Sequence, residues 1–176
     1  MNNNAHILKE FTPTECAYLA GIIDGEGSIY IGNFSKSKST GTPYYQTAIE
    51  VTNTDEKLID WLINNIGGRK NIYTAKQTPK NSRRTVYRWI ATGELVSHIC
   101  PRILPYLIIK IRQCEIMIEM RKTYDETGSR FTKGQRTFGT PSVPEHILAR
   151  RLELFDEIRA LHCRNYTCAL SPTDIS

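Results

Sequence analysis

The chain contains no run of about 18 apolar residues and no basic start followed by an apolar stretch. It therefore reads as having neither a membrane span nor a signal peptide. The opening "MNNNAHILKE" lacks arginine and serine, which makes it a poor transit peptide. Cysteine is sparse and unpaired: Cys16, Cys100, Cys114, Cys163 and Cys168 are five in number, with no C-x-x-C pair. That pattern argues against a disulfide framework and against a structural zinc site, and reduced thiols in a cell interior are the simplest expectation. Neither G-x-G-x-x-G nor the P-loop spacing occurs, which argues against a phosphate-cradling glycine loop. Large charge imbalance is missing too. Lysine and arginine number 23 against 18 acidic residues, a net charge of +5, so what matters is where the basic residues cluster.

What is present is ordinary globular composition, 40% apolar and 23% charged, in 176 residues that can bury a real core. Thr12-Pro13-Thr14-Glu15 combines a capping threonine, a first-turn proline and a capping-box glutamate, and predicts a helix to about Asp24 stopped by a left-handed Gly25. Strands are expected at 28–34 and 44–52, then a helix from Thr54-Asp55 with apolar residues at helical spacing and glycine at its end. A second strand pair is expected at roughly 70–77 and 83–91, a short helix at 94–103, and a Pro105-led helix over "YLIIKIRQCEIMIEMRK". Residues 125–143 read as a loop. Ser142 to Glu145 then opens a last helix, whose Ile147, Leu148, Leu152, Phe155, Ile158 and Leu161 predict packing on the core. The order αββαββα plus a tail helix implies an α+β fold: a four-stranded antiparallel sheet with helices on one face and the other left open. The expected organisation is an extension over 1–11, a core over 12–123, a loop over 124–143 and a C-terminal helix and tail over 144–176.

The most informative stretch is "YLAGIIDGEGSIYI", Tyr18 to Ile31, where Asp24 and Glu26 stand among three glycines between a helix and a strand. Ala17, Gly21 and Gly25 are spaced by four and form a stripe of a helix with almost no side chain. Such a stripe suits close packing, either on the chain's own sheet or on a second copy about a two-fold axis. In the second case Asp24 and Glu26 of both copies meet at the junction. Clustered carboxylates repel and are costly to bury, acids are poorly placed at a helix C-terminus, and a divalent cation with hard oxygen ligands, such as magnesium, removes the conflict. Solvated charges or a capping role are the bland alternative.

"LAGIIDGEG", Leu19 to Gly27, resembles the LAGLIDADG motif of the homing endonucleases: Leu19, Ala20, Gly21, Ile23, Asp24 and Gly27 match, and Glu26 stands acid for acid. "VTNTDEKL" at Val51 to Leu58 and "LPYLIIKIRQ" at Leu104 to Gln113 are similar to supporting stretches of the same family, and the likeness spans roughly 12–123. One copy of the motif implies a homodimer. The resemblance further implies a metal-dependent, site-specific double-strand DNA endonuclease of the intron or intein type, using Mg2+. Glu26 would be the direct metal ligand, with the Gly25 carbonyl nearby. Ala17, Gly21, Asp24 and Gly25 would form the dimer seam, with Asp24 more structural than chemical. Asn53, Lys57 and Lys110 match positions that organise water and offset phosphate charge. Lys57 also reads as an exposed helix lysine, whereas Lys110 interrupts an apolar stretch and so needs a partner.

The open sheet face would enter the DNA major groove, where each base pair shows its own donor and acceptor pattern. Basic residues gather on the hairpins: Lys36 and Lys38 on the first, and Lys70, Lys76, Lys80, Arg83, Arg84 and Arg88 on the second, with Gln46 and Glu50 on the polar side of strand two. The turn cations suit phosphate and the strand side chains suit bases. "TVYRWIA" alternates too poorly to assign its faces. Two other readings use the same fold: an RNA-binding maturase acting on its host intron, and a DNA-binding regulator that has lost cleavage. No targeting segment is read, which fits a bacterial, archaeal, phage or organelle-encoded protein.

Overall fold

Thr12 opens the first helix as a full capping box. Its hydroxyl accepts from the Glu15 N–H, and the Glu15 carboxylate accepts from the Thr12 N–H at 2.9 Å. The structure, a computed structural model, describes residues 10–34, 43–74, 85–127 and 143–162. Among these residues the order is α1 (Pro13–Glu26), β1 (Gly27–Phe34), β2 (Tyr44–Asn53), α2 (Glu56–Asn65), β3 (Arg69–Thr74), β4 (Thr85–Thr92), α3 (Glu94–Ile103), a 3-10 turn (Leu104–Tyr106), α4 (Ile111–Glu126) and α5 (Glu145–His162). The four strands form one antiparallel sheet in the order β1-β2-β4-β3. The expected α+β architecture is therefore observed.

Cys16, Leu19, Ala20 and Ile23 line the buried side of α1 at the i, i+3, i+4, i+7 spacing of a helix face. They meet Ile29, Ile49 and Val51 on the inner face of the sheet, where Trp89, Ile59 and Leu62 complete the fully buried centre. The expected stop at Gly25 is corrected. Gly25 is helical, the helix runs to Glu26, and Gly27 ends it in an extended conformation with its N–H donating to Ile23 O. A side chain at Gly27 would bring a Cβ within 2.7 Å of Ile23 Cα, so the glycine is fixed by close approach and not by a positive φ. The true left-handed stop lies after α2, where Gly67 and Gly68 have φ of 95° and 99°. There the Trp89 indole donates to Gly67 O at 2.6 Å, pinning the turn to the core.

The Pro105-led helix is corrected as well. Leu104–Tyr106 is a 3-10 turn, residues 108–110 bend, and the helix begins only at Ile111. The register settles the faces of β4: Tyr87, Trp89 and Ala91 point inward and Val86, Arg88 and Ile90 outward, opposite inward Val51 and outward Thr52 on β2. The poor alternation in sequence reflects Val86 and Ile90, apolar residues on the open side.

α5 packs on the core through Ile147, Leu154 and Ile158, with Phe155 and Leu161 partly buried beside them, but Leu152 is half-exposed and the buried residue one position earlier is Arg151. The Arg151 guanidinium donates to Thr123 Oγ1 and Thr123 O, both at 2.9 Å, and lies 4.0 Å over the Tyr124 ring. At the other end of α5, His162 Nε2 sits 2.8 Å from Ile29 O, covering part of the edge strand β1. Cys16, Cys100 and Cys114 are free and buried, while Cys163 and Cys168 lie outside the described residues. No helix among the described residues is long and apolar enough to cross a membrane.

Arg151→Ala would leave buried acceptors on α4 unpaired and remove the buried polar anchor of α5. The expected loss is about 2–3 kcal/mol of unfolding free energy, read as a lower urea midpoint at unchanged slope. A shift of a few tenths would show that the Arg151 bonds do not hold α5 in place.

Candidate functional site

The two acids at the end of α1 have opposite surroundings. Asp24 Oδ2 accepts from the backbone N–H of Ile108 at 2.7 Å and of Ile109 at 3.2 Å, and Oδ1 accepts from the N–H of Lys110 at 3.0 Å. Three successive donors ahead of α4 thus converge on one carboxylate, which occupies the electropositive end of that helix. In return Lys110 Nζ donates to Asp24 O at 2.5 Å, supplying a cation to one of the carbonyls that a helix leaves unbonded at its C-terminus. That carbonyl is the partner demanded by a lysine inside an apolar stretch. Glu26, two residues on, is exposed and makes no hydrogen bond or ion pair among the described residues.

The neighbouring pieces reach this corner by chain geometry. Gly27 of β1 pairs with Val51 of β2, so β2 continues past Val51 to Asn53 alongside the end of α1. Asn53 Oδ1 accepts from the Asp55 N–H at 2.8 Å, and Asp55 caps α2 by accepting from the Lys57 N–H at 2.9 Å. The side chain of Lys57 is exposed and without a partner among the described residues. Glu26, Asn53, Lys57 and Lys110 therefore come from four elements that end or begin at the same margin of the sheet.

The small-residue stripe does not pack on the chain's own sheet. Ala17, Gly21 and Gly25 are exposed, and a Cβ built on either glycine meets nothing within 4 Å. The buried side of α1 is the Leu19, Ala20 and Ile23 face. Beside the exposed stripe, in the turn held by Asp24, Ile108 is 83% and Ile109 63% exposed, unusually high for isoleucine.

On the open sheet face Gln46 and Glu50 stand where the alternation puts them, and Arg88 joins them through its register with Thr52, each half-buried. Lys70 does not. It shares the inner face with Trp89, its register partner, and its ammonium bonds Asp60 at 2.6 Å and Glu56 at 2.5 Å, both on α2. Its hydrogen bonds to these two carboxylates raise its pKa. The expectation that Lys70 contacts DNA from the hairpin is thereby corrected: its register with Trp89 turns it to the inner face, toward the acids of α2. Arg69, Asn71 and Tyr73 take the outward positions. Tyr30 and Tyr73, missed in sequence, join Glu50 and Arg88 there. Tyr30 Oη donates to Glu50 at 2.5 Å, and burial together with that bond pushes the phenol up to about 12. The alternation of β1 could have found Tyr30, two residues from Ser28 on the polar side. Lys36, Lys38, Lys76, Lys80, Arg83 and Arg84 lie outside the described residues.

The model of a family described as LAGLIDADG endonuclease matches residues 19–117. Among solved structures, the homing endonuclease I-CvuI, in complex with the I-CreI target and 2 mM Mg, is similar at TM-score 0.61 and 16% identity, covering 84% of this chain and 82% of its own. The archaeal intron-encoded homing endonuclease I-Vdi141I complexed with DNA gives 0.63 and 14%, covering 87% of each chain. The endonuclease I-LtrWI, bound to target DNA, gives 0.58 and 16%, covering 89% of this chain but 47% of that one. At these identities the likeness to the solved structures is one of fold. No curated protein matches the sequence.

Asp24→Ala removes the acceptor shared by three N–H groups and releases the turn before α4. A loss of about 1–2 kcal/mol in urea unfolding is expected, with Asp24→Asn intermediate because an amide oxygen still accepts. Equal stability of all three proteins would show that the turn is held without the carboxylate.

Proposed function

The chain belongs to the LAGLIDADG endonuclease family, and from that premise we propose that it is a site-specific double-strand DNA endonuclease, hydrolysing phosphodiesters as a homodimer with a divalent metal. The observation that carries this reading is the unpartnered Glu26 carboxylate beside an exposed stripe of small residues, two residues from an Asp24 whose hydrogen-bonding capacity is already used. A carboxylate left bare at a helix C-terminus is unfavourable in an isolated chain. It is accounted for if a second copy packs its own stripe on Ala17, Gly21 and Gly25 and the paired Glu26 residues meet a cation at the seam.

The donor set fits a hard divalent ion. Glu26 and the Gly25 carbonyl would hold Mg2+, and among the described residues of one chain no group of three His, Cys, Asp or Glu could hold a metal alone. The ligand shell is then completed by the second copy, water and phosphate oxygens. When bound, the ion supplies Lewis-acid stabilisation and a more acidic water at the scissile phosphate. The chain's own residues do the rest. Lys110, held against the end of α1, and the exposed Lys57 offset phosphate charge. The Asn53 amide, its oxygen already committed to Asp55, offers its N–H2 donors to order water. Arg88 and Gln46 on the open face read the major groove, with Glu50 beside Arg88 at the same DNA-binding surface, and Lys36, Lys38, Lys76, Arg83 and Arg84 contact phosphate. Lys70 is not in this set, since its charge is spent on α2.

In a nicking and cleavage assay on long duplex DNA with Mg2+, wild type is expected to cut both strands and Glu26→Gln to lose at least about 100-fold in rate while still binding. Wild type that binds but never cuts, indistinguishable from the variant, would leave a binding protein. For the seam, Gly21→Val fits the single chain, where the added atoms meet open space. It is expected to keep the native circular dichroism but sediment as a monomer. A variant that stayed dimeric would move the interface elsewhere.

A further inference from the structure

We propose that Arg88 is the reader of a guanine in each half of the DNA target, and that Glu50 and Tyr73 are positioning residues that hold its guanidinium for that contact; this rests on the DNA endonuclease reading above. Arg88 lies in β4, an interior strand of the sheet, directly across from Thr52 on one side and Asn71 on the other. Its place is the middle of the open face, where the floor of a groove would lie, and not the rim where phosphates run.

The surroundings orient the guanidinium without satisfying it. Its Cζ sits 4.4 Å over the ring of Tyr73, a stacking that fixes the plane. Glu50 Oε2 is 3.7 Å from Nη1, close enough to attract and too far to accept a good hydrogen bond. Glu50 is itself locked, because its other oxygen receives the Tyr30 hydroxyl. That phenol stays protonated, and so keeps donating, through neutral and mildly alkaline pH. Arg88 Nε is buried and has no partner, the one such side-chain atom among the described residues. Buried donors are almost always paired. The orphaned Nε lies beneath the surface, out of reach of a docking ligand. The guanidinium's terminal end is partly exposed and holds only one stretched ion pair, so it is the fork of terminal nitrogens that is short of acceptors.

The missing acceptor has a definite shape. A guanidinium clamped in one plane presents a flat fork, and the guanine edge presents O6 and N7 as two acceptors in one plane. A phosphate would also accept, but Glu50 beside the fork repels a second anion, whereas the neutral base edge is not repelled. Apolar Val86 and Ile90 flank Arg88 on the same face of its strand.

The test uses the full-length protein in EDTA, so that binding is read without cutting, and a pool of duplexes with a randomised 30-base-pair core. Wild type is expected to enrich a sequence with one G per half-site whose replacement by A weakens binding about 10- to 100-fold. Arg88→Ala and Arg88→Lys are expected to lose that preference while keeping the rest of the enriched sequence, which also shows that they fold. Glu50→Gln should soften the same position alone. Three results overturn the proposal: an unchanged base profile in Arg88→Ala, loss at every position alike, or a salt slope of log K lowered by about one per subunit, the mark of a phosphate contact. If wild type enriches no sequence, site-specific recognition itself fails and this proposal falls with it. A wild-type preference that the Arg88 variants retain sinks this proposal only.

Discussion

One carboxylate joins the two parts of the molecule on which the site depends. Asp24 leaves the end of α1 and takes up three backbone N–H groups of residues 108–110, and Lys110 returns its ammonium to the carbonyl of Asp24. The exchange is reciprocal in charge and in hydrogen bonding. An acid sits at the positive start of α4 and a cation at the negative end of α1, each where a helix terminus is short of partners. Without it the last turn of α1 would carry two uncompensated acids, and the turn bearing Ile108, Ile109 and Lys110 would have no fixed place. With it, Glu26 is presented in a defined position at the exposed margin while its neighbour is spent on architecture.

The glycines divide along the same line. Gly27 is required by the fold, because any side chain would strike the backbone of Ile23, and Gly68 is required because a Cβ there would meet Ile90 O and the Trp89 ring. Gly21 and Gly25 are not required by the fold at all. Within a single chain they lower helix propensity by about 1 kcal/mol each relative to alanine and gain no packing. A cost without an internal return points outward, to something that approaches α1 closely. Side-chain volume is the only thing those two positions withhold.

Most of the architecture was legible in the sequence because local signals agreed with one another. The capping box at Thr12 to Glu15, the paired glycines after α2 and the alternation of β2 each have a mechanism that acts within a few residues. The failures came where a local pattern was overruled from far away. "LPYLIIKIRQ" reads as continuous helix, but its first turn of N–H groups is claimed by Asp24, more than 80 residues earlier, so the chain bends before Ile111. Lys70 reads as one more hairpin cation, but its face is set by pairing with Trp89 and by Glu56 and Asp60 on α2. Arg151 falls among apolar residues in a helix with two charged sides, and only the Thr123 and Tyr124 surface explains its burial. The residues of the candidate corner were legible by type and motif. The partner of Lys110 was not, because a backbone carbonyl has no signature in sequence.

The distribution of charge around Glu26 bears on how such a site stays inactive until it is assembled. In one chain the Glu26 carboxylate has no ion pair among the described residues, and no cluster among them can hold a metal by itself. On the proposed reading, the metal ligands are divided between two copies and the phosphates of the substrate. Association of the stripes and docking of the open face would then both precede any productive metal shell. Affinity for the ion becomes linked to affinity for DNA, since each favours the state in which the other binds. Tyr30, Glu50, Arg88 and Tyr73 add a second condition on the same sheet: the polar groups at its centre are held in place but under-bonded until an acceptor arrives. A face built this way gains most from the one ligand whose edge completes it and little from a generic polyanion, and that difference is what selectivity requires.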